Sequence, residues 1–161
     1  AEYSLLIKEL KAFNPNLNII FTISPVKYLR NGIIENNLSK SILIQSVHEL
    51  VSSNSNCFYF PAYELVNDDL RDYRFYKEDM AHPNNQAIDY VWEKFRDVYF
   101  TLETKKLNEI IKEINLAALH RPIKGDTEQH KKFKQTYFQK CAELEKKHPH
   151  LNLSSVKQIF S

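Results

Sequence analysis

Apolar residues recur at helical spacing along much of the chain, and two short β-rich runs interrupt them. Residues 2–13 place Leu5, Leu6, Leu10 and Phe13 on one helical face, and Asn14-Pro15-Asn16 ends that pattern. Leu17-Asn18-Ile19-Ile20-Phe21-Thr22-Ile23 has little alternation, which predicts a strand buried on both faces. A turn at Asn31-Gly32 leads to a helix from about 36 to 52, with Leu43, Val47, Leu50 and Val51 as its core-facing stripe. Cys57-Phe58-Tyr59-Phe60 predicts a second short buried strand, stopped by Pro61, and a turn or two of helix is expected over 63–67. Beyond residue 84 the signal is purely helical. Ile88, Val91, Trp92, Phe95 and Tyr99 keep the three-and-four spacing after a cap at Asn84 or Asn85. Leu107, Ile110, Ile111, Ile114 and Ala118 form a second stripe, ended before Arg121-Pro122. A last helix opens at Asp126 or Thr127, with Gln129 placed for a capping box, and carries Phe133, Tyr137, Cys141 and Leu144 up to His148-Pro149.

Helix–strand–helix–strand order with long crossovers predicts an α/β fold whose parallel sheet is wrapped by helices. The chain divides into an α/β part, 1–100, and a helical extension, 101–161. Parallel sheets are covered on both faces and usually hold four or more strands. Two strands therefore lead us to expect the C-terminal portion of a larger doubly wound domain, with its N-terminal half as the missing partner.

Composition narrows the function classes. A net charge of +2 over 161 residues gives no electrostatic case for nucleic acid or a membrane surface. No apolar run approaches the ~20 residues of a membrane helix, and no signal-peptide pattern is visible. Two distant cysteines, Cys57 and Cys141, are no disulfide framework, so the expected location is the cytoplasm, with a processed secreted chain left open. Glycine occurs twice, at Gly32 and Gly125, against an ordinary usage of about 7%. That excludes a phosphate-cradling loop, a dinucleotide fingerprint and a Gly-x-Ser-x-Gly elbow within these residues.

The candidate chemistry lies in residues 68–84, a long stretch without period, dense in charge and aromatics. Its kernel is Asp79-x-x-His82. A carboxylate and an imidazole three residues apart can pair so that the ring tautomer is fixed, as a general base requires. The bland alternatives are a surface or capping histidine, and an Asp79 that caps the next helix or pairs with Arg71 or Arg74. Arg71 and Arg74 are candidates for holding a substrate carboxylate or phosphate, or else pair with Asp68, Asp69, Asp72 and Glu78. Tyr73, Phe75 and Tyr76 are expected to wedge the loop onto the core, with Tyr73 also in the candidate substrate-binding set. Ser24 follows a strand where nucleophiles occur, although Pro25 removes an N–H that an oxyanion hole uses. A metal site at Asp79, His82, Glu78 or Glu64 lacks a second histidine at ligand spacing, so no metal is expected.

Phe21-Thr22-Ile23-Ser24-Pro25-Val26, Tyr59-Phe60-Pro61-Ala62-Tyr63-Glu64, Asp69-Leu70-Arg71-Asp72-Tyr73-Arg74-Phe75-Tyr76 and Asp79-Met80-Ala81-His82-Pro83 together resemble the GSCFA-domain family. That family is a bacterial branch of the SGNH (GDSL-like) hydrolases, and the likeness runs over about residues 1–122. The resemblance implies a partial three-layer SGNH/flavodoxin-like sheet and hydrolysis of a carboxylic ester or acyl group, on a small molecule or a glycan, with no cofactor. It implies His82 as general base and Asp79 as its orienting carboxylate. The Gly-Ser-Cys-Phe-Ala motif that names the family, at the place where SGNH enzymes keep their nucleophile, is absent here, as are the superfamily's oxyanion-hole blocks. Each missing oxyanion donor costs about 10²–10³ in rate. The expectation is thus a fragment, inert alone, that carries the acid–base half of a hydrolase site. The alternative is a non-catalytic binding or oligomerisation module, dimerising through an exposed sheet edge.

Overall fold

The computed structural model describes residues 2–122 and 127–161, so Gly125 and Asp126 lie outside the described residues. It has two compact units, Ala1–Tyr99 and Phe100–Ser161. The first is α/β, running α1 (Glu2–Phe13), β1 (Ile19–Thr22), α2 (Ile33–Ser53), β2 (Cys57–Phe60), α3 (Ala62–Glu64) and α4 (Asn85–Tyr99). Between the last two, α3 widens into a loosely wound continuation, Leu65–Leu70, and a single tight turn follows at Tyr73–Phe75. Asp68, Asp69 and Leu70 are thus helical, contrary to the aperiodic reading of that stretch.

The two strands pair in parallel, from Ile19 opposite Cys57 to Thr22 opposite Phe60. Asn56 sets the entry: its backbone carbonyl accepts from Ile19 N (2.8 Å) and its buried amide donates to the Leu17 carbonyl (3.0 Å). The side chains of β2 alternate between two helices. The Tyr59 ring meets His48 of α2 at 5.2 Å. Phe60 turns to α4, edge-on to Phe95 at 5.1 Å. Burying a side chain of that size contributes roughly 1.5–3 kcal/mol.

Burial departs from two sequence expectations. Ile20, Thr22 and Phe58 are exposed, so the strands are not buried on both faces. On α2 the buried positions are Asn36 and Lys40, while Leu43 of the expected stripe is exposed. The exposure has the same physical reason in both places. Two strands and the segments attached to them cannot cover every apolar face that the pattern creates. Gly32 needs its glycine: its φ of 93° starts α2 in a conformation that a side chain would strain.

The second unit is helical, with α5 (Leu102–Ala118), α6 (Glu128–Lys147) and α7 (Ser154–Ile159). Ile114, Ala117, Cys141, Leu144, Leu153 and Phe160 form its core. Thr101 and Thr127 cap α5 and α6 by accepting from Thr104 N and His130 N, both at 3.2 Å. With Thr127 as cap the third helical residue is His130, so Gln129 is one position early for the expected capping box. Glu145 accepts from Leu153 N (2.8 Å) and Lys157 Nζ (2.7 Å), fastening α7 to α6. Among the described residues no helix is long and apolar enough to cross a membrane.

Candidate active site

Residues 71–84 are built on local hydrogen bonds. Arg71 ends the loosely wound segment in the left-handed region (φ 45°, ψ 27°), its N–H reaching the Val66 carbonyl at 3.2 Å. Asp72 then caps the Tyr73–Phe75 turn by accepting from Arg74 N (2.9 Å). Phe75 is buried and holds the turn on the core. Beyond it the chain doubles back: Tyr76 and Pro83 form an antiparallel bridge, and Lys77 N donates to the His82 carbonyl (2.8 Å). Asn84 closes the loop and opens α4. Its Nδ2 donates to the Arg74 carbonyl (2.6 Å), and its Oδ1 accepts from Ala87 N (3.1 Å). Asn84 is therefore the cap of α4, which removes that role from Asp79.

Asp79 instead organises the tip. One carboxylate oxygen accepts from Ala81 N and His82 N, both at 2.9 Å. The other lies 2.7 Å from His82 Nδ1. The two backbone N–H groups, first that of His82 and then that of Ala81, with the ring bond in support, hold the Asp79 carboxyl down at about 2. An ionised carboxylate only accepts, so Nδ1 carries the proton and the lone pair sits on Nε2. Among the described residues Nε2 has no hydrogen-bond partner. The two side chains are 55% and 49% exposed, so the ring faces solvent rather than apolar packing.

Further bonds place this tip relative to the sheet. Lys27, just beyond the C-terminal end of β1, donates its backbone N–H to the Ala81 carbonyl (3.0 Å). The buried face of α2 grips the same stretch from behind. Asn36 Oδ1 accepts from Tyr28 N (2.8 Å), and Lys40 Nζ donates to the Ser24 carbonyl (2.5 Å). Burial lowers the Lys40 pKa from its ordinary value. His82 thus stands at the carboxyl end of β1, the side of a parallel sheet where open α/β proteins bind ligands.

The family model for the GSCFA family matches residues 1–95, and that for the C-terminal domain of GSCFA domain proteins matches residues 111–161. The chain belongs to the GSCFA family. No curated protein and no solved structure matches it. The first GSCFA match stops short of residue 122, and α6 and α7 fall within the second. The C-terminal-domain match begins within α5 and takes in the rest of the helical unit.

Of the other site candidates in this GSCFA chain, Ser24 turns inward on its own loop, its Oγ accepting from Val26 N at 3.2 Å. Burial pushes the thiols of Cys57 and Cys141 up, which makes both poor nucleophiles. Arg71 and Arg74 do pair with local acids, but loosely: Arg71 with Asp68 at 4.0 Å and Arg74 with Asp72 at 3.8 Å. Tyr73 is 63% exposed and is no core wedge, while Phe75 is buried and Tyr76 partly so. Among the described residues no three His, Cys, Asp or Glu side chains are grouped to hold a metal ion. Sequence reasoning missed Lys27, Asn36 and Lys40, which tie the β1 exit to the His82 tip. Polar residues on an amphipathic helix read as solvent-facing, and the only signal otherwise is that Asn36 and Lys40 continue the line of Leu43, Val47 and Leu50. A cavity of about 490 Å³ runs from Pro83 along the sheet to Trp92 and Phe95.

Proposed function

We propose that this GSCFA chain supplies the acid–base half of an SGNH-type hydrolase acting on carboxylic ester or acyl groups. The observation that carries the reading is the 2.7 Å Asp79–His82 pair, with Nε2 bare and open to solvent at the carboxyl end of β1. In the proposed reaction a hydroxyl or thiol from polypeptide outside these residues attacks the carbonyl carbon. Its proton passes to His82 Nε2, and the imidazolium is held through Nδ1 by ionised Asp79. The same proton then goes to the departing alkoxide, leaving the acyl group on the nucleophile. Water, deprotonated by His82, attacks that acyl carbon; the acyl–nucleophile bond breaks to free the carboxylic acid, and His82 returns the proton to the nucleophile. No oxidant, reductant or cofactor enters this balance. The parent fold in this reading is a three-layer SGNH/flavodoxin-like sheet of which β1 and β2 are part, and its location is the cytoplasm.

The test is turnover of p-nitrophenyl acetate by these 161 residues and by the product of the complete reading frame. The chain alone is inert, and the complete product turns over and loses activity in His82→Ala. Clear turnover by the chain alone, abolished in His82→Ala, refutes the assignment of the nucleophile to other polypeptide.

A second reading, a non-catalytic assembly module, is favoured by one set of observations. Among the described residues each strand has a single partner, and Ile34, Leu38 and Ile42 leave an exposed apolar row along α2. Such edges and rows invite pairing with a second copy. A defined dimer in solution, combined with an inert complete product, decides for that reading.

A further inference from the structure

A small pocket of about 130 Å³ lies beside the His82 tip, lined in part by Lys27, Asn67, Arg71, Asp72, Tyr73 and Tyr76. It is joined to that tip on two sides: Lys27 is bonded through its backbone to Ala81, and Tyr76 is bridged to Pro83. At about 30 Å³ per water, the space equals roughly four waters, room for a group of a few heavy atoms.

The side chains around it are arranged to receive negative charge. The Lys27 ammonium lies over two rings at once, 4.3 Å from the Tyr73 centroid and 4.1 Å from that of Tyr76. Those rings hold the ammonium in place without neutralising it, and among the described residues it has no carboxylate partner. The Arg71 contact to Asp68 stretches to 4.0 Å between exposed side chains, so the guanidinium keeps free donors. Asn67 spends its Oδ1 on the Tyr76 hydroxyl (2.9 Å), leaving its Nδ2 as a donor. The one acidic wall, Asp72, has Oδ1 occupied by Arg74 N at 2.9 Å, while its Oδ2 lies only loosely, at 3.8 Å, from Arg74 Nε. Two cations and a neutral donor thus outnumber the single carboxylate in the wall, one oxygen of which is held by its own turn.

We propose that this pocket is an anion subsite, taking a carboxylate or phosphate group carried by the substrate. That the anion belongs to a substrate rests on the hydrolase reading; that the pocket binds an anion does not. Both groups present the same chemistry, planar or tetrahedral oxygens for Lys27 and Arg71 to share.

The experiment is an amide-resolved NMR titration of the chain with inorganic phosphate in one arm and acetate in the other, at low salt. Saturable shifts at Lys27, Arg71 and Tyr73 are expected. Lys27→Gln and Arg71→Gln each weaken binding roughly tenfold, the loss of one charge-assisted contact. Lys27→Arg retains binding, and Lys94→Gln, on α4 away from the pocket, leaves it unchanged. Saturation in the phosphate arm alone assigns the subsite to a phosphate-bearing substrate; saturation in the acetate arm alone assigns it to a carboxylate. Shifts that never saturate, or that survive both neutral substitutions, overturn the proposal. If one neutral variant fails to fold, the other decides. Anion binding by the chain, with no ester turnover in the complete product, sinks the hydrolase reading and leaves the subsite standing.

Discussion

Asp79→Asn is the perturbation that separates an oriented base from a histidine that merely sits in a turn. With its carboxyl held down at about 2, Asp79 is ionised at pH 7. It therefore presents only acceptors, and the 2.7 Å contact obliges His82 to keep its proton on Nδ1. An asparagine can still accept from Ala81 N and His82 N through its remaining oxygen, so the tip keeps its shape. The atom then facing the ring becomes an N–H donor. Nδ1 must give up its proton to accept from it, and the lone pair leaves Nε2. Long-range ¹H–¹⁵N spectra of the imidazole read this directly. Wild type shows a protonated Nδ1 and a bare Nε2 at pH 8; Asp79→Asn shows the reverse. In the complete product the same substitution costs about 10²–10⁴ in ester turnover, the usual contribution of a positioned general base. A wild-type ring already protonated at Nε2, or one that the substitution leaves unchanged, refutes the reasoning.

Other outcomes follow from the same contacts. The depressed carboxyl of Asp79 sets the sign of an acid effect: its stabilisation of the tip is complete above the ordinary value of 3.8 and is lost as pH falls through about 2. The amide protons of Ala81 and His82 should move together across that window, and a shared midpoint near 4 contradicts the bonding described. Asn84→Ala removes the cap of α4 and weakens it by about 1 kcal/mol, seen as faster amide exchange at Ala87. In the helical unit, Ile114→Ala empties a fully buried site and costs about 2–5 kcal/mol in urea unfolding. A loss under 1 kcal/mol there means that the core of that unit is loosely packed.

The elements that sequence exposed well are those whose surface divides cleanly between core and water. The helices around Ile114 and Leu144 belong to this group, whereas the Asp79–His82 contact is legible because its three-residue spacing is local. The loosely wound Leu65–Leu70 segment is expected only as far as residue 67, and 68–70 escaped because Asp68 and Asp69 break any apolar period. Helix α7 escaped because six residues hold too few apolar positions to show a period. The harder failure is α2. Its sequence offers Leu43 and Val47 to the core, yet Asn36 and Lys40 are the buried positions, since what α2 covers there is the backbone of residues 24–28 and not a side-chain layer. A helix that packs on peptide groups needs donors and acceptors on its inner face, and hydrophobic periodicity is blind to that. The role of Lys27 was hidden for a similar reason, because its ammonium is positioned by two aromatic rings from a distant stretch of chain.

The central claim is that His82 serves a nucleophile contributed by other polypeptide. Acid-quenching the complete product during p-nitrophenyl acetate turnover and locating the acetyl group by peptide mass spectrometry tests it directly. The acetyl group should be on a serine or cysteine outside these 161 residues and should vanish in His82→Ala. Acetylation at Ser24, or acetylation that persists without the His82 imidazole, contradicts it.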